Sequence, residues 1–125
     1  MRERLKELND SKNPADRERA VAEAIAAMSE PDRTMGKRLH AIIKTNAPAL
    51  LPRLWYGMPA YSDKEGNIIL FFRDRAKFKE RYMTLGFNNE AKLDEGDMWP
   101  IVYALTKLGA GEEANVAALV KKAVG

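Results

Sequence analysis

The chain holds one histidine, His40, and no cysteine, so thiol nucleophiles, disulfides and any Cys/His or His/His metal site are excluded from the start. The residues left that could do chemistry fall into three groups. The first is basic. Arg73, Arg75, Lys77, Lys79 and Arg81 occupy every second position, with Asp74 and Glu80 between them and Phe71, Phe72, Phe78 and Tyr82 interleaved. In an extended chain alternate side chains share a face, so these cations would line one side and could meet a phosphate backbone; a solvated connection between two strands is the simpler reading. The second group is acidic: Glu90, Asp94, Glu95 and Asp97, with Lys92 among them. Carboxylates so spaced could hold a hard cation such as Mg, Ca or Fe, but the spacing is not that of an EF-hand, and an acidic solubilising loop is the simpler reading.

The third group is aromatic: Trp55, Tyr56, Tyr61, Trp99 and Tyr103. Large apolar faces with polar tips suit a small-molecule pocket, and Trp55, Tyr61 and Trp99 are the candidates to border one. The same residue types serve equally at the margins of a core, which is the reading favoured for most of them. His40 sits beside Leu39 at the border of an apolar helix face, without the partners of a nucleophilic site, and reads as a boundary histidine with a local hydrogen bond. Gly57, Gly66 and Gly86 are isolated and form no phosphate loop. The expectation is a protein that binds rather than catalyses, with no certain cofactor.

The elements that must position these groups are legible in outline. Residues 1–13 read as a polar lead-in. Asn13-Pro14-Ala15-Asp16 then starts a helix, with Asn as its cap and Pro in its first turn. Val21, Ala24, Ile25 and Met28 form its apolar stripe. A second helix opens after Ser29-Glu30-Pro31, carries Met35, Leu39, Ile42 and Ile43, and ends near Asn46. After Pro52 the pattern turns to strands: Leu54–Gly57, ending at a Met58-Pro59 bend; Ile68–Phe72, a continuous apolar run buried on both faces; Tyr82–Phe87; and Trp99–Leu105, for which a helix is the alternative. The last helix has Glu112 and Glu113 in its first turn, Lys121 and Lys122 in its last, and Val116, Leu119 and Val120 on its buried face. This order predicts an α+β fold, a helical hairpin followed by about four mainly antiparallel strands and a closing helix, with the helices on one sheet face.

Length and charge bound the rest. A chain of 125 residues with 46% hydrophobic and 31% charged residues is expected to be one globular domain, 1–125. Its net charge of +3 is only mildly basic, thin support for nucleic-acid binding. The charged N-terminal residues carry no apolar signal region and no run approaches a membrane span, so a cytoplasmic protein is expected.

The helical hairpin, the stretch "LWYGMPAY", the run "GNIILFF" and the closing "MWPIVYALTKL" and "NVAALVKKAV" together resemble the YdhG-like family over about residues 15–124. This is a domain of unknown function grouped with frataxin-like and YjbR/CyaY-like proteins. The most specific part of the resemblance is Tyr56, Met58, Pro59 and Tyr61, an aromatic-x-Met-Pro-x-aromatic element. The resemblance implies a compact α+β fold, a small bacterial protein and no established catalytic residues; some members are described as iron chaperones for iron–sulfur cluster assembly. Iron handling is therefore the first functional expectation. A small-molecule or protein-partner module built on the aromatic cleft is the second, and weak anion or nucleic-acid contact through residues 73–81 the third.

Overall fold

The computed structural model describes residues 2–125, and the expected lead-in is a helix, α1 (Arg2–Asp10). Its two leucines, Leu5 and Leu8, are too few to announce an amphipathic helix, and tertiary contacts hold it instead. Both pack against the core, and the Arg4 guanidinium donates to both carboxylate oxygens of Glu23, at 2.9 and 3.0 Å. Helix α2 (Pro14–Ala26) begins as expected, with the Asn13 side-chain oxygen accepting from the Ala15 N–H at 2.9 Å. Helix α3 (Asp32–Asn46) buries Met35, Leu39, Ile42 and Ile43.

A five-stranded antiparallel sheet follows, in the order β1 (Leu51–Trp55), β2 (Met58–Ser62), β3 (Ile68–Arg73), β4 (Met83–Phe87) and β5 (Val102–Leu105). A single-turn helix, α4 (Arg75–Phe78), links β3 to β4, and α5 (Ala110–Val124) closes the chain. The sheet has one strand more than expected because Met58-Pro59 is no bend. The reversal is made one step earlier, by Tyr56 at φ 51° and Gly57 at φ 75°. Two successive left-handed residues are the signature of a type I′ hairpin turn. Trp55 then pairs with Met58 and Leu54 with Pro59. Paired positions alternate between bonded and unbonded, so Pro59 falls where no N–H is needed toward β1, and the β2–β3 pairs begin only at Ala60.

The register also sorts the side chains. Leu54, Pro59, Tyr61, Leu70, Phe72, Met83, Leu85 and Phe87 share the inner face, against which α2, α3 and α5 pack through Val21, Ile25, Leu39, Ile43, Val116 and Val120. Trp55, Met58, Ala60, Phe71 and Gly86 share the outer face. There the Phe71 ring lies directly over Gly86, in space that any side chain at position 86 would need.

The two sheet edges differ. On β1 the outward-facing backbone belongs to Pro52, which has no N–H, and to Leu54. The Asn9 side chain takes both groups of Leu54, donating to its carbonyl at 3.1 Å and accepting from its N–H at 2.7 Å. Edge β5 pairs only with β4 and carries exposed Val102, with Ile101 and Met98 exposed just before it. No helix among the described residues is long and apolar enough to cross a membrane.

Asn9→Ala removes two hydrogen bonds from the β1 edge at about 0.5–1.5 kcal/mol each. Urea unfolding should show a loss of roughly 1–3 kcal/mol, and hydrogen exchange at the Leu54 amide should accelerate more than at the central strand β3.

Candidate binding cleft

Helix α1 lies beside α2 and meets β1 through Asn9, leaving a space between these helices and the β1–β2 turn. The result is an open cleft of about 500 Å³, within the usual range for small-molecule sites. Leu5, Ala24, Ala27, Met28 and Leu54 form its apolar lining. Arg2 and Lys6, one helical turn apart on α1, and Lys77 on α4 bring positive charge to it, and Asp74 is the one acid. That carboxylate is occupied as the cap of α4, accepting the Lys77 backbone N–H at 3.3 Å.

Tyr56 stands at the lip, 81% exposed. A left-handed conformation costs a residue with a Cβ about 1–2 kcal/mol, and here it is adopted by an aromatic ring that gains little burial in return. The Tyr56 ring lies 5.1 Å from that of Trp55 between centroids, and backbone strain of this kind clusters at functional sites. The Lys77 side chain folds over the adjoining Gly57, its ammonium so close that a Cβ at position 57 would strike it. The ammonium donates to the Gly57 carbonyl at 3.3 Å and lies 5.6 Å from the Phe78 ring centroid, an aromatic face that favours a cation. No carboxylate lies within ion-pair distance of it among the described residues.

The expected aromatic cleft does not form. Trp55 and Tyr61 project from opposite faces of the sheet, because the hairpin turn pairs Trp55 with Met58, three residues from Tyr61. Trp55 packs edge-on to Phe71, at 5.4 Å between centroids, while Tyr61 is wholly buried. Trp99 is half-buried against the core in the irregular segment 88–101. The cleft residues that the sequence did not single out, Leu5, Met28 and Lys77 as a set, come from distant segments. The one local signal was Tyr56-Gly57 lying between two apolar runs at hairpin spacing.

The basic stretch is not extended. Asp74 caps α4 and Lys79, at φ 54°, ends it, so the alternation is folded into a turn. Arg73 pairs with Glu80 at 2.9 Å. Arg75 turns inward to the buried Asp32, donating from Nε at 2.9 Å and from its backbone N–H at 2.7 Å. Arg81 lies over the Tyr82 ring. Lys77, Lys79 and Arg81 stay exposed, so the five cations share no common face. In the acidic segment Glu90, Asp94, Glu95 and Asp97 are all exposed, and Glu95 is paired with Lys122 at 2.7 Å. Among the described residues no three Asp, Glu or His side chains come together as ion ligands.

His40 has partners that its position in the sequence did not reveal. Its Nδ1 meets the Tyr61 hydroxyl at 2.8 Å, its Nε2 faces Glu18 at 3.5 Å, and Lys44 pairs with the same carboxylate at 2.5 Å. The neutral tautomer fits this chain: the phenol donates to Nδ1 and the Nε2–H points at Glu18. Burial lowers the His40 pKa, with Glu18 opposing the shift. Burial likewise raises the Tyr61 phenol well above its usual value. Glu18 is held below the ordinary carboxylate range, chiefly by the hydrogen bond from Lys44.

No protein-family model matches this chain, and no curated protein or solved structure does either.

Since His40 is the sole histidine, the pH dependence of stability near neutrality reports on it. Its folded pKa lies below the unfolded value of about 6.5, so the unfolded chain takes up the proton first. Stability is therefore fully present above that value and falls as the pH drops toward the folded pKa. Urea midpoints between about pH 7 and 5.5 should show this slope, and His40→Gln should flatten it. Tyr61→Phe, which strips the buried Nδ1 of its donor, should cost about 1–3 kcal/mol at pH 7.5.

Proposed function

We propose that this protein is a non-enzymatic binding module of the YdhG-like type, whose ligand is a small molecule held in the cleft between α1, α2 and the β1–β2 turn. One observation carries the reading: Tyr56 is held in a left-handed conformation yet left 81% exposed at the lip of the cleft. Gly or Asn at that position would make the same turn at lower cost. The ring's aromatic neighbour is Trp55, at 5.1 Å between centroids, and most of its surface stays open for a ligand in the cleft to cover. The apolar lining supplies the burial that a small ligand needs, and its polar rim supplies orientation. The iron-handling role that the family resemblance implies would require several converging oxygens, and the exposed acids of segment 90–97 supply no such set. The reading therefore rests on the cleft.

The test is a fragment screen by amide chemical shifts, with 8-anilinonaphthalene-1-sulfonate as the first probe. Shifts should cluster at Leu5, Met28 and Gly57, and Ala24→Trp, which fills the cleft, should abolish them. Tyr56→Asn should raise stability by up to about 1–2 kcal/mol through relief of the backbone strain, while weakening the same probe. Absence of any cleft-localised binder, or binding undiminished in Ala24→Trp, would remove the proposal.

A further inference from the structure

The chemistry of the cleft narrows its ligand to a class. Its lining carries Arg2, Lys6 and Lys77 against the single acid Asp74, and that acid is already turned to the α4 backbone. Lys6 has a partner outside the cleft, Asp10 at 3.1 Å, but both side chains are well exposed and the pair is one of the weak i,i+4 kind. Lys77 differs from an ordinary surface lysine. Its stem is folded back over the turn, in space open only because residue 57 is glycine. Its head is held between a carbonyl and an aromatic ring, with no carboxylate in reach among the described residues. A lysine free in solvent loses rotamer entropy when it captures an anion; one already placed loses less. The floor beneath it, Leu5, Ala24, Ala27, Met28 and Leu54, offers an incoming molecule no charged group.

We infer that the ligand is an amphiphilic monoanion, an acyl or aryl carboxylic acid whose apolar body lies on the floor of the cleft while its carboxylate meets the Lys77 ammonium. This deepens the cleft reading and rests on it. A carboxylate at that point replaces the weak carbonyl contact of Lys77 with a charge-assisted hydrogen bond, and Arg2 and Lys6 add a field of the same sign from across the cleft.

Three probes of equal chain length separate the charge from the cleft: octanoate, 1-octanol and octyltrimethylammonium, followed by amide shifts and calorimetry at low salt. The expected order is octanoate tightest, octanol weaker and the cation weakest, with shifts at Gly57, Lys77 and Leu5. Lys77→Met should weaken octanoate on the order of tenfold, the scale of one charge-assisted hydrogen bond, and leave octanol unchanged; Lys77→Arg should restore most of the loss. The exposed position of Lys77 means that these variants keep the fold, which far-UV circular dichroism checks. If octanol binds as tightly as octanoate, or Lys77→Met leaves octanoate untouched, the anion assignment is wrong while the cleft stands. If none of the three produces shifts at the cleft while 8-anilinonaphthalene-1-sulfonate does, the acyl or aryl acid assignment is wrong and the cleft stands; if that probe fails as well, both fall.

Discussion

A reversal made by two left-handed residues, Tyr56 and Gly57, sets the register of β1 on β2, and with it which side chains of β1 face the core. A slip of one residue would exchange the faces of every side chain on β1. Trp55 would then enter the core and Leu54 would leave it, taking with it the backbone groups that Asn9 engages. The turn also places Gly57 under Lys77, so the two sides of the cleft meet at the point where the register is set. The conformational cost of a tyrosine at φ 51° thus falls at the lip of the cleft, where the register is set.

Besides the Asn9–Leu54 pair, two polar connections tie the helical layer to the sheet and to its β3–β4 connection, and each crosses between segments remote in sequence. The Tyr61 hydroxyl reaches His40 on α3, which in turn faces Glu18 on α2. Asp32, buried at the start of α3, receives Arg75 through both its backbone and its side chain. Apolar packing fills the space between the layers, and these directional contacts add specificity to the placement of α3. The second contact also fixes the start of α4, and through it the position from which Lys77 reaches the turn.

Where local chemistry decided the structure, it was legible. Asn13-Pro14, the stripes of α2 and α3, the charge order of α5 and the apolar run of β3 each carry their own signal, and each element lies where that signal puts it. Strand β2 was hidden by Pro59, because a proline reads as the end of a strand unless its bonding parity is known, and parity follows from the turn. Helix α1 was hidden because its two leucines show a face only once there is a core to meet. The basic alternation of 73–81 suggested an extended strip, yet Asp74 is a good cap residue and its carboxylate closes the turn that breaks the strip. The cleft was beyond any local reading, since it joins residues 2–9 to 54–57 and 74–77. Only the exposed Tyr56 could have been suspected, from its place before a glycine at hairpin spacing.

The unequal edges of the sheet bear on how copies of this protein meet. Strand β1 is closed to a further strand by Pro52 and by the Asn9 side chain, whereas β5 presents its free backbone beside Val102, Ile101 and Met98. A sheet open on both sides can add neighbours without end, which is the geometry of a fibre. With one side closed, two copies joined edge to edge through β5 would turn only their β1 edges outward, and growth would stop there. A strand-mediated pairing of that kind would close at two copies, because no edge would be left open for a third.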